Sequence, residues 1–148
     1  MKQIRIIAAA VAVSLAGRAT AVEVIDFPAL LGAIAEVESD NGETSRNVYQ
    51  ITRVHWEDVN RIRRMNWHPS SHRDMVETRA IAAEYVLAYW DYYGDRWQRA
   101  TGQVVTAEVL AKMHRVGYVG MLKHPKTAAA YWAKVKPIYF RNRRKGVR

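Results

Sequence analysis

From Asp26 onward, apolar residues recur at three- and four-residue intervals, the period of helices with one buried face, and short polar turns interrupt the pattern. The first segment predicts a helix over 27–39, with Asp26 as its cap and Pro28 tolerated in the first turn. The 40–50 segment opens with turn chemistry, Asp40 to Asn47, and leads into a short extended stretch, Val48-Tyr49-Gln50-Ile51. A second helix is expected over 53–67, stopping ahead of Pro69. Ser71 and Asp74 have capping-box spacing and open a long helix that ends near Gly94. Thr106 caps another that closes at Gly117, and a last one spans 127–136, ended by Pro137. The pattern predicts one mostly α domain with a small irregular or β-hairpin segment after the first helix.

The start of the chain follows a different logic. Lys2 and Arg5 precede the apolar run from Ile6 to Ala16, and Ala19-Thr20-Ala21 offers small residues at an exit site. This is the layout of a secretory signal peptide. The run is about half of the roughly 20 residues a membrane span needs, so membrane contact is expected to be transient and the protein exported. The expected division is a signal segment over 1–21, a domain over 22–140 and a basic tail over 141–148.

Composition narrows the picture further. The 148 residues suffice for one domain, 49% of them are hydrophobic, and five Trp and eight Tyr can furnish a core. The absence of cysteine excludes disulfides and thiolate metal sites. Loss of Lys2, Arg5 and Arg18 with the leader lowers the net charge from +9 to +6. Much of the excess crowds into Arg141, Arg143, Arg144, Lys145 and Arg148, a surface attractive to any polyanion. No nucleic-acid motif accompanies that charge, so no nucleic-acid partner is expected. His68 and His72 are four apart, but Pro69 breaks the helix they would need as zinc ligands, and no third ligand stands nearby.

The first helix carries the candidate chemistry. Leu30, Leu31 and Ile34 form one stripe, and Glu38 falls in the middle of it, four residues after Ile34. Glu36 falls on the opposite, solvated side. Burying a carboxyl at the negative end of a helix favours its protonated form, which is what a general acid needs. A structural glutamate satisfied by an arginine would show the same pattern. Asp58 shares a face with Val54, Val59, Ile62 and Met65, where a structural ion pair or cap is the commoner use of an acid. Tyr85, Tyr89, Trp90, Tyr92, Tyr93 and Trp97 have helical spacing, so most belong to the core and about two to a groove edge.

Five short motifs occur in order: L-G-A-I-A-E-V-E-S at 31–39, V-Y-Q-I at 48–51, D-V-N-R-I at 58–62, A-K-M-H-R-V-G at 111–117 and A-Y-W-A-K-V at 130–135. Together they resemble the lysozyme-like superfamily, and in particular the soluble lytic transglycosylase domain, over most of residues 27–136. The resemblance implies an α+β lysozyme-like fold and cleavage of the β-1,4 bond between N-acetylmuramic acid and N-acetylglucosamine in peptidoglycan. It makes Glu38 the catalytic acid/base, Ser39 the neighbour that orients it, and Tyr131 the tyrosine that contacts it. It places Gln50 in the cleft, with Tyr49 beside it as a further substrate-positioning residue. No metal or organic cofactor is implied, and a monomer is expected.

Two positions depart from the family pattern. Asn47 stands where a glycine precedes the Gln segment, and Arg115 stands where the cleft asparagine belongs. Arg115 either fills the groove, leaving a peptidoglycan-binding module without activity, or offers its bidentate fork to an acidic group of the substrate. Between Glu38 and Gln50 the only acids are Asp40 and Glu43, both in the turn. One well-placed carboxylate favours attack by the sugar's own 6-hydroxyl over two-carboxylate hydrolysis.

Overall fold

The computed structural model describes residues 24–39, 47–63 and 78–146, and among them the chain is mostly helical with no strand. The signal-like start, the 40–46 turn with its acids Asp40 and Glu43, His68, His72 and the Ser71–Asp74 capping box lie outside the described residues. Among the described residues five helices occur in order: α1 Phe27–Glu38, α2 Arg53–Arg63, α3 Arg79–Thr101, α4 Ala107–Lys123 and α5 Pro125–Gly146.

Helix α1 starts where expected because Asp26 accepts a hydrogen bond from the Ala29 amide at 2.9 Å, with Pro28 in the first turn. Of its stripe, Leu30 and Ile34 are fully buried with Ala33, chiefly against α5, while Leu31 is half-buried at the edge of the core. Tyr139 of α5 seals that contact: its ring is buried and its hydroxyl accepts from the Asp26 amide at 3.3 Å. Helix α5 also packs on α4, which packs on α3, and α3 packs on α2, with the Tyr85 hydroxyl donating to Asn60 Oδ1 at 2.8 Å.

Several boundaries differ from the sequence reading, and helix α3 starts at Arg79, after an extended Thr78, rather than at the Ser71–Asp74 box. Helix α3 runs past Gly94 to Thr101 and stops at Gly102, which takes the left-handed φ of 68°. Gly94 sits inside the helix because Val105 and Leu110 pack closely on it, and that tertiary contact outweighs its weak helix propensity. Helix α5 continues through Pro137 to Gly146. The ring removes one backbone donor, but Val135 and Tyr139 on either side are fully buried and hold both halves in place. Arg141, Arg143, Arg144 and Lys145 therefore lie on the last turns of a helix, with Arg141 paired to Glu36 and Arg143 over the Tyr139 ring; Arg148 lies outside the described residues. Finally, the Val48–Ile51 stretch is not extended: residues 48–49 form a turn, and Gln50 has a positive φ of 50°. Asn47 ties this turn together, its amide donating to the Ile51 carbonyl and its oxygen accepting from the Ile51 amide, both at 2.9 Å.

Gly117 does interrupt its helix, as expected, although helical turns resume beyond it to Lys123. Its φ of 71° and ψ of 167° belong to a region open essentially to glycine alone. A Cβ there would also stand 3.4 Å from the Tyr89 hydroxyl. Gly117→Ala should therefore cost roughly 1–3 kcal/mol, read as a lowered denaturation midpoint. Gly102→Ala, with nothing within 4 Å of its Cβ, should cost less.

Candidate functional site

Glu38 is the last residue of α1, and its side chain is only 9% exposed. Because the stripe that carries it faces α5 and α4, its carboxyl emerges where two clefts meet. The larger, about 330 Å³, is walled by Gln50 and Thr52, by His55 and Asp58 of α2, by Tyr89 of α3 and by His114 to Gly117 of α4. The smaller, about 240 Å³, runs between the end of α1 and the first turns of α5, past Tyr131 and Lys134. Glu38 and Arg115 line both.

Arg115 projects from α4 between the clefts. Its guanidinium lies 3.6 Å from the Glu38 carboxylate and 5.8 Å from the Tyr131 ring centre. The Tyr131 hydroxyl is buried without an aligned hydrogen-bond partner, yet it is near enough to Glu38 for the two to interact. Burial first, and the Glu38 carboxylate second, push its phenol far above the ordinary tyrosine range, with Arg115 opposing. The structure thus brings together four residues singled out from the sequence: Glu38, Gln50, Arg115 and Tyr131. Gln50 stands at the rim of the larger cleft, its amide donating to the Glu38 backbone carbonyl at 3.4 Å.

Ser39 and Tyr49 are placed differently. Ser39 is buried beneath the end of α1, and its hydroxyl donates to the Ala35 carbonyl, so it caps the helix that presents Glu38. The Tyr49 ring belongs to the core at 3% exposure, because the 47–49 turn directs it inward. Its contribution to the site is its carbonyl oxygen, which accepts from His114 Nε2 at 2.9 Å.

The floor of the larger cleft holds residues that helical spacing alone did not reveal. His55 stacks on Tyr89 with ring centres 4.3 Å apart, and its edge meets His114 at 6.4 Å. Burial, then the neighbouring His114, lowers His55 to about 4. Burial alone dominates in lowering His114 to about 4, with the Tyr49 carbonyl opposing. Both rings are neutral near pH 7. The only trace of this pair in the sequence is that His114 adjoins Arg115 in the 111–117 motif. Asp58 is held as expected for a structural acid, accepting from the Tyr93 hydroxyl at 2.6 Å and pairing with Arg61. It nevertheless lines the same cleft as Glu38. Tyr89 is one of the aromatic residues at the groove.

No group of three His, Asp or Glu side chains suited to a metal ion occurs among the described residues. No protein family, curated protein or solved structure matches the chain.

Proposed function

We propose that the protein is an exported peptidoglycan-cleaving enzyme of lysozyme-like type, α+β in the sense of that superfamily, with Glu38 as its acid/base. The observation that carries this reading is Glu38 itself: a nearly buried carboxyl at the junction of two clefts, flanked by a buried phenol and a guanidinium. Clefts on both sides of one acid suit a polymer that runs past it, with the scissile bond over the carboxyl.

In the proposed reaction Glu38 gives its proton to the glycosidic oxygen as the bond from the muramic C1 breaks. The carboxylate then accepts the proton of the same sugar's 6-hydroxyl as that oxygen bonds to C1, closing a 1,6-anhydro ring. Proton and bonds balance within one residue and one strand, and the nucleophile is already held at high effective concentration. Gln50 at the rim and Tyr131 beside the carboxyl position sugar and acid.

Hydrolysis is the second reading, and one observation favours it: Asp58 shares the larger cleft with Glu38. Its ties to Tyr93 and Arg61 make it less free to serve as the second carboxylate. A digest of purified sacculi analysed by mass spectrometry separates these readings. Anhydro ends, lighter than reducing ends by one water, are expected. Reducing ends alone would mean hydrolysis with a second acid, Asp58 or Glu43, and no soluble fragments at all would leave a binding module.

A further inference from the structure

The smaller cleft carries an unbalanced charge. Arg115 and Lys134 contribute two cations to its walls against the single carboxylate of Glu38, and its remaining lining is apolar apart from Thr127 and the Tyr131 ring. Lys134 lies one helical turn beyond Tyr131 on α5 and is exposed. Arg115 is 52% exposed, and its 3.6 Å separation from Glu38 is longer than a hydrogen bond. The guanidinium is therefore held by charge and by the Tyr131 face, with its hydrogen-bond donors left for another group.

We propose that this cleft is an anion-reading subsite in which Arg115 and Lys134 take a carboxylate borne by the sugar strand beside the bond that Glu38 cleaves. The proposal rests on the glycan-cleaving reading and adds the two residues that select an acidic strand over a neutral one. A strand carboxylate entering the cleft meets the planar fork of Arg115, which can grip both its oxygens, and the point charge of Lys134. The guanidinium turns toward the newcomer and leaves Glu38, so the acid is released from its partner only when an acidic strand is in place. A neutral strand of the same length fills the volume but leaves Arg115 on Glu38. Hydrogen bonds to charged groups are strong enough for a preference of roughly tenfold or more.

The test is equilibrium binding of the purified protein to two tetrasaccharides by calorimetry. One consists of N-acetylglucosamine alone; the other alternates it with N-acetylmuramic acid bearing free lactyl carboxylates. Wild-type protein should bind the acidic oligomer at least about tenfold more tightly. Arg115→Gln and Lys134→Gln should each remove most of that preference, weakening the acidic oligomer far more than the neutral one. Lys134 is exposed, so its variant tests the subsite even if Arg115→Gln perturbs folding. Equal binding of the two oligomers, no binding of either, or equal weakening of both by the variants would overturn the subsite. The same preparations on sacculi keep the two readings apart. Cleavage without discrimination defeats the subsite alone, whereas Arg115-dependent discrimination without cleavage defeats the enzyme alone.

Discussion

Glu38→Gln should abolish release of soluble fragments from sacculi, a loss of at least roughly 100-fold on the scale of general acid–base catalysis. The amide keeps the volume of the side chain at the end of the α1 stripe, so the packing of Leu30 and Ile34 against α5 is untouched. It loses the transferable proton and the charge that faces Arg115 at 3.6 Å. Circular dichroism and thermal midpoint should stay near wild type, which separates lost chemistry from lost fold. Glu36→Gln is the matched control two residues away. It breaks only the partly exposed pair with Arg141, worth at most about 1 kcal/mol, and should clear sacculi normally. A Glu38→Gln protein with near wild-type clearance would sink the assignment.

Acidification should destabilise the fold steeply through His55 and His114. Both have folded pKa values near 4, below the ordinary 6.5 that each regains on unfolding. Above pH 6.5 neither state binds the proton, and these rings add no pH dependence. Between about 6.5 and 4 the unfolded chain binds more protons, so stability falls as pH falls, and below 4 the loss levels off. The geometry explains the resistance to protonation. His114 donates from Nε2 to the Tyr49 carbonyl, and its Nδ1 is buried without a partner, so an added proton there would meet no acceptor. His55 Nε2 is likewise buried and unpartnered.

A displacement of this size corresponds to roughly 3 kcal/mol per ring in full, and the two are coupled through their contact. The thermal midpoint should drop by about 10 °C or more between pH 7.5 and pH 5, given typical unfolding entropies. His55→Phe keeps the stacking on Tyr89 and removes one titration, so its midpoint should vary less steeply over the same range. A midpoint that stays flat in wild-type protein would show that the rings are not the buried neutral pair described above.

What the sequence made legible was local. Asp26, Pro28 and the stripe ending at Glu38 set α1 by neighbours within four residues, and they locate the candidate acid without tertiary information. Gly117 was legible as a break because its backbone conformation is open to few other residues. Gly94 and Pro137 misled for the converse reason: both are weak in an isolated helix, and both are overruled by packing from Val105, Leu110 and Tyr139. The inward Tyr49 depends on a turn closed by Asn47, which periodicity cannot register. The histidine floor depends on α2, α3 and α4 meeting, and no single helix encodes that. The nearness of Glu38 and Tyr131 was expected only from the family resemblance; their position between two clefts with Arg115 required the fold.

The closure of α1 onto α5 has a consequence for when the site exists. Asp26 and Tyr139 meet across 113 positions of chain, so during synthesis the first helix emerges long before the one that covers it. Until then Leu30 and Ile34 have no partner surface, and a contact of such long range forms late because the intervening loop must close first. Glu38 gains Tyr131 only when α5 docks. A nascent or clipped chain without α5 would carry the carboxylate but neither Tyr131 nor the smaller cleft, so under the proposed reading wall cutting waits for the docking of α5.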